Sequence, residues 1–124
     1  MKLDSQRYAD MVVVSPRGRL DHDHCEGFRA GLQPFLDEAA RSRRGLVLDL
    51  SALEYVSSAG LRCFMLASKQ TARHGGKIVV AALRPVVAEI FQISRFDMLF
   101  EVFPTVREAL AAQSGEAAAS FDRA

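Results

Sequence analysis

The segment Leu46-Val47-Leu48-Asp49-Leu50 constrains this chain more than any other. Gly45 precedes it and a turn through Ser51 to Tyr55 follows, so the apolar run has the length of a strand buried on both faces rather than of a helix. We read it as the central strand of a sheet. Such a strand needs cover on each side, and the flanking sequence supplies helical patterns before and after it.

Upstream, Met11 to Val14 is a short β-branched run that Gly18 to Leu20 can continue beyond Pro16, which removes a ladder donor and restricts a central strand there to a bulge or an edge position. Asp21 and Asp23 offer caps for a helix from about His24 to Ala40, with Phe28, Leu32, Phe35, Leu36 and Ala39 on its buried face. Gly27, Gly31 and Pro34 weaken this helix, and Pro34 predicts a bend. Downstream, Ser57 is placed to cap a helix from about Ser58 to His74, with Leu61, Met65, Ser68 and Ala72 on one side and Phe64 beside them. Gly75-Gly76 closes it in the manner of a left-handed cap.

Lys77 to Ala82 reads as another strand, Pro85 to about Ile93 as a third helix with Val87, Ile90 and Phe91 inward, Phe100 to Phe103 as a short strand, and Thr105 to Ala112 as a last helix. The order ββαβαβαβα predicts a single α/β domain with a four- or five-stranded mixed sheet and about four helices. Its 124 residues suit one core, since single domains usually take roughly 100–200. After the last apolar pattern, SGEAAASFDRA brings small and polar residues. We therefore expect a domain over residues 1–112 and a flexible C-terminal tail over residues 113–124, with alanine content sufficient to extend the last helix by a turn or two as the alternative.

Composition narrows the function classes. A hydrophobic fraction of 49% and a charged fraction of 25% suit a folded globular protein. Sixteen Lys and Arg against fifteen Asp and Glu leave a formal charge of +1, too little field to hold a nucleic-acid backbone, so no direct nucleic-acid partner is expected. No apolar run approaches the ~20 residues of a membrane helix and the N-terminal segment has no signal-like apolar core, which predicts a cytoplasmic protein without membrane insertion. Cys25 and Cys63 read as reduced thiols.

The cluster Asp21-His22-Asp23-His24-Cys25 holds several metal-ligand types, but adjacent residues of one short turn do not by themselves surround an ion, and His74 is expected at a distant helix end. His22 and His24 resemble the paired histidines of some hydrolase barrels, which need ~250 residues. A solvated, Asp-capped turn is the simpler reading, with a partner-binding loop as the alternative. No Gly-x-Ser-x-Gly elbow surrounds Ser57 or Ser58, Cys63 falls inside a helix, and no Walker sequence occurs, so neither an enzyme nor a cofactor site is indicated. Arg41, Arg43 and Arg44 read as a solvated basic run, and Arg62, Lys69 and Arg73 as the exposed side of the second helix or a contact surface for an acidic partner.

The serine pair stands apart. Ser57 and Ser58 lie where the chain, after the central strand, enters a helix, and recognition surfaces of open α/β sheets form at such ends. One serine is accounted for as an N-cap. A second hydroxyl in the first turn can carry phosphate, because backbone N–H groups and the helix dipole favour an anion there.

Gly18-Arg19-Leu20-Asp21, the strand Leu46 to Leu50 with Tyr55-Val56-Ser57-Ser58-Ala59-Gly60-Leu61-Arg62, and Gly75-Gly76-Lys77 to Ala82 followed by Val87 to Phe96 resemble the STAS domain family. That fold is shared by sulfate-transporter tails and bacterial anti-sigma factor antagonists. The resemblance covers about residues 8 to 112. Antagonists of the family have a loop of the form Asp-Ser-[Ser/Thr]-Gly-Leu whose first serine is phosphorylated. Aligned on Gly60-Leu61, this puts Ser58 at the acceptor position and Ser57 where the family has aspartate.

The resemblance implies a non-enzymatic anti-sigma factor antagonist that acts by partner switching. Unmodified, it binds an anti-sigma factor with serine-kinase activity; phosphorylation of Ser58 releases it, and a metal-dependent serine phosphatase resets it. Partner contacts are implied at Asp21, Ser57, Ser58, Ala59, Gly60 and Arg62. The alternative is a constitutive STAS subunit of a lipid-transport ABC complex or another signalling assembly, docking through the same surface.

Overall fold

The computed structural model describes residues 3–42 and 45–124. Among the described residues, seven strands and five helices follow in the order β1 (Asp4–Tyr8), β2 (Met11–Ser15), β3 (Gly18–Leu20), α1 (Cys25–Ser42), β4 (Leu46–Asp49), β5 (Leu53–Val56), α2 (Ser58–Ala72), β6 (Ile78–Ala81), α3 (Pro85–Ile93), β7 (Val102–Phe103), α4 (Val106–Gln113) and α5 (Gly115–Arg123). Short 3-10 turns at His22–His24 and Phe96–Met98 precede α1 and β7.

Five strands form one mixed sheet in the order β1-β2-β4-β6-β7. The β1–β2 hairpin is antiparallel, and the β2–β4, β4–β6 and β6–β7 pairs are parallel. Strand β4 is therefore central, as its apolar run predicts. Its alternating residues serve two cores, because successive side chains of a strand point to opposite faces. Leu46 and Leu48 join Val12, Val14, Ile78 and Val80 under α1, α2 and α3, where Phe28, Phe64 and Phe91 fill the space. Val47 joins Met11, Val13 and Val79 on the other face with Ala109 and Leu110 of α4 and Ala117 of α5.

Strands β3 and β5 leave this sheet and pair with each other in parallel. Beyond Pro16 the chain departs from β2, which resolves the break expected there. Strand β5 occupies sequence read as a turn, and β1 was not anticipated at all. All but the last residue of β1 are exposed, so Asp4 to Tyr8 carries no apolar periodicity; only its ladder with β2 makes it a strand.

The helices follow their patterns with two corrections. α1 runs unbroken through Pro34 and buries Phe28, Leu32, Leu36 and Ala39. The buried face of α2 holds Leu61, Cys63, Phe64, Ala67 and Thr71, so the expected Met65-Ser68 side is only half-buried and Ala72 is exposed. Packing of Phe64 against Phe28 and Phe91 fixes that rotation, with ring centroids 5.4 and 6.0 Å apart. Gly75 adopts φ +79°, and Gly76 N–H reaches the Thr71 carbonyl at 3.1 Å, the left-handed closure expected for α2.

The flexible tail expected over residues 113–124 is the second correction. Gln113 ends α4, and Gly115–Arg123 is α5, with Ala117 and Ala118 buried and Phe121 edge-on to Tyr8 at 5.2 Å. Ser114 caps α5 by accepting from Ala117 N–H and ties it to the first hairpin by donating to Asp10. Arg107 of α4 grips Asp122 through two bonds of 2.8 and 2.9 Å. The segment reads as a tail because its buried contacts are mostly alanines, which bring a helix close to a sheet without raising local hydrophobicity.

Candidate functional site

The paired strands β3 and β5 end side by side, with Leu20 opposite Val56. The Leu20 carbonyl accepts from Ser57 N–H at 2.9 Å, so the turn after β3 and the start of α2 are joined by backbone. This junction brings Asp21 beside Ser57, Ser58, Ala59 and Gly60, which lie far apart in sequence.

Each residue has a distinct task there. Ser57 has extended backbone, φ −86° and ψ 174°, and its Oγ accepts from Gly60 N–H at 3.2 Å. It is the N-cap of α2, and Ser57→Ala is expected to lower stability by about 1 kcal/mol, read as a shift of the denaturation midpoint. An unchanged midpoint would show that the cap contributes nothing. Ser58, the first residue of α2, is exposed and its hydroxyl makes no hydrogen bond among the described residues.

Ala59 is half-buried and Gly60 buried. A Cβ on Gly60 would stand 2.6 Å from the Leu20 carbonyl oxygen, so this residue holds α2 against β3 rather than offering a surface. Arg62 is exposed one turn beyond Ser58 and forms no ion pair among the described residues.

Asp21 is occupied locally. Its Oδ1 accepts from His24 N–H at 3.3 Å and lies 2.6 Å from His24 Nδ1. Hydrogen bonding to His24 holds the Asp21 carboxyl below its ordinary range, so this cap is present above that range and lost as pH falls through the lowered value. His22 and Asp23 are exposed on the same turn. Among the described residues no three His, Cys, Asp or Glu side chains are grouped to hold a metal ion. His74 is exposed beyond the end of α2.

Both cysteines are free thiols. Burial, with a smaller contribution from Cys25, pushes the Cys63 thiol up to about 11, the opposite of an activated nucleophile. Cys25 donates instead to the Asp21 carbonyl at 3.1 Å. Of the basic run before β4, Arg41 is exposed, while Arg43 and Arg44 lie outside the described residues.

Beside Ser58 a shallow depression runs along α2, lined by Arg62, Met65, Leu66, Lys69 and Phe96. Elsewhere on the surface large apolar side chains are exposed, among them Ile93 at 76%, Met98 at 82% and Leu99 at 60%. These last residues were not picked out from sequence. Ile93 ends a helix whose pattern looks inward-facing, and Met98 and Leu99 sit in a 3-10 turn with no periodicity to mark them. Among the described residues no helix is long and apolar enough to cross a membrane.

Comparison with known proteins agrees with this geometry. The STAS domain family model matches residues 2–109. The candidate anti-sigma factor antagonist BtrV of Bordetella bronchiseptica is 38% identical over 112 residues, covering 90% of this chain and 93% of that protein. In fold, a candidate anti-sigma factor antagonist of Thermotoga maritima superposes with a TM-score of 0.80 at 18% identity, over 90% of this chain and 93% of its own. The antagonist SpoIIAA in its unphosphorylated form superposes with a TM-score of 0.69 at 19% identity, over 87% and 92%. The phosphorylated form of SpoIIAA, a Bacillus cell-fate determinant, gives 0.62 at 18% identity, over 89% and 97%. A five-stranded mixed sheet with β4 at its centre, a serine-capped α2 against β3, a family match over most of the sequence and a relative at 38% identity lead to one conclusion: the chain belongs to the STAS domain family.

Proposed function

We propose that this protein is a cytoplasmic anti-sigma factor antagonist that works by partner switching and is not itself an enzyme. Unphosphorylated, it binds an anti-sigma factor with serine-kinase activity through the start of α2 and the exposed side of that helix. Phosphorylation of Ser58 releases the partner, and a metal-dependent serine phosphatase restores binding. The observation that carries this reading is the division of labour between the two serines. Ser57 spends its hydroxyl on the cap, while Ser58 presents a free hydroxyl at the first position of the helix. The relative at 38% identity, named as a candidate anti-sigma factor antagonist, supports the same role.

Ser57 supplies no carboxylate where the family has aspartate, so recognition by the kinase must rest on the backbone shape of the loop and on the side chains around it. A phosphate adds about −1.5 to −2 charges to a surface that needs no refolding to accept them. Its effect is therefore interfacial.

Ser58→Ala is expected to keep partner binding and resist phosphorylation. Ser58→Asp, which imitates phosphate only in part, is expected to bind about thirtyfold more weakly or worse, corresponding to roughly 2 kcal/mol or more for an unpaired charge desolvated at an interface. Its thermal stability should change little. Kinase assays with mass spectrometry, paired with calorimetric titration against the partner copurified from the native host, test both. Phosphate on Ser57 instead, equal affinity for wild type and Ser58→Asp, or copurification of a transporter ATPase would overturn the switch, the last in favour of a constitutive transport subunit.

A further inference from the structure

We infer that phosphate on Ser58 is held within the molecule by Arg62, so that modification both adds negative charge and withdraws this arginine from the partner-facing surface. The inference rests on the reading of Ser58 as the acceptor and adds to it a named intramolecular counter-ion. Residues four apart on a helix are surface neighbours, about 5–6 Å between Cβ atoms, and an acid N-terminal to a base is the favourable orientation. Ser58 and Arg62 have that spacing and order, and both line the depression beside α2. Only Ala59, Gly60, Leu61 and no acidic side chain intervene.

Arg62 has no competing carboxylate on its own helix. The whole of α2, SAGLRCFMLASKQTA, contains neither Asp nor Glu, and Arg62 makes no ion pair among the described residues. The ionisable groups lining the depression are Arg62 and Lys69. On the opposite side of Ser58, the turn after β3 carries Asp21, His22, Asp23 and His24, with Asp21 already bonded to His24. Arg62 is one turn from the acceptor and Lys69 three, so the guanidinium, which can bind phosphate oxygens through two parallel N–H bonds, is the group that captures it. Before modification the depression carries the two positive charges of Arg62 and Lys69. A phosphate of about −1.5 to −2 nearly cancels them, so an acidic partner segment loses its attraction as well as meeting a new repulsion.

Phosphoserine installed at position 58 by genetic encoding tests the latch directly, whether or not a kinase reaches this site. The probe is the phosphate itself, followed by 31P NMR titration. Its second pKa, near 6 for free phosphoserine, is expected to be about 0.2–0.4 pH unit lower in the wild-type background than in Arg62→Gln. Arg62→Lys should retain part of the shift, and Lys69→Gln should leave it unchanged.

Because the folded-state value is lowered, the extra stabilisation that the second phosphate charge gives the latch is fully present above the unfolded-state value and is lost as pH falls through the folded one, leaving the weaker pairing of the monoanion. The phosphorylated wild type should therefore gain more thermal stability relative to phosphorylated Arg62→Gln at pH 8, where the phosphate is a dianion, than at pH 5, where it is a monoanion. Equal phosphate titration in the wild-type and Arg62→Gln backgrounds, or a shift that disappears with Lys69→Gln instead, would overturn the latch. Failure of a kinase to modify Ser58 would overturn the acceptor reading separately, since the installed phosphate is measured in either case.

Discussion

Replacing Leu48 by aspartate is expected to leave no cooperatively folded protein. Leu48 is fully buried at the middle of the central strand, opposite Val14 on one side and Val80 on the other, in the core that contains Phe28 and Phe64. The substitution removes an apolar side chain worth about 3–5 kcal/mol when deleted from a core, and it also buries a carboxylate with no cation in that cluster. A domain of this size holds only about 5–15 kcal/mol of net stability, so the combined loss exceeds or consumes it. Far-UV circular dichroism during heating should show no sigmoidal transition, while Leu48→Met, which conserves volume, should lose less than about 1.5 kcal/mol. Soluble Leu48→Asp with an unchanged midpoint would refute the placement of this strand at the centre.

The second large effect is expected at Gly60, and it links the core to the candidate site. A Cβ there would lie 2.6 Å from the Leu20 carbonyl oxygen, 2.8 Å from Val56 Cγ2 and 2.9 Å from Leu20 Cγ. The nearest of these atoms is backbone, and it also accepts the 2.9 Å bond from Ser57 N–H, so relief by movement would break the join between β3 and α2. Gly60→Val should destabilise the protein by about 3 kcal/mol or more, at or beyond the top of the usual overpacking cost because the closest clash is with backbone, with Gly60→Ala intermediate. Gly115→Ala is the matched control, because nothing lies within 4 Å of its Cβ position. Denaturant midpoints compare the three. If Gly60→Val were as stable as Gly115→Ala, α2 would not sit against β3 as described.

The two substitutions also mark what kinds of information the sequence carries. Leu48 is legible because burial on both faces of a central strand leaves a run of apolar residues, a local signal that survives without any knowledge of neighbours. The caps are legible for the same reason: Ser57 before α2 and Gly75-Gly76 after it are chosen by the backbone conformation of their own turn. Gly60 is legible only as part of a motif. Its requirement is set by an atom of Leu20, forty positions earlier, which no local pattern contains.

Alternation of strand and helix patterns, the central strand, the α2 cap and the pair Ser57-Ser58 were thus determined by sequence alone, since each depends on interactions within a few residues. Tertiary structure decided the rest. It made a strand of polar Asp4 to Tyr8 through its ladder with β2, turned α2 so that Phe64 faces the core, and packed an alanine-rich end against the sheet as α5. It also brought the Asp21 turn to the start of α2 through the Leu20–Ser57 join. Pairing and packing between distant segments are properties of two residues at once, and a residue whose role is fixed by its partner carries no sign of that role in its own neighbourhood.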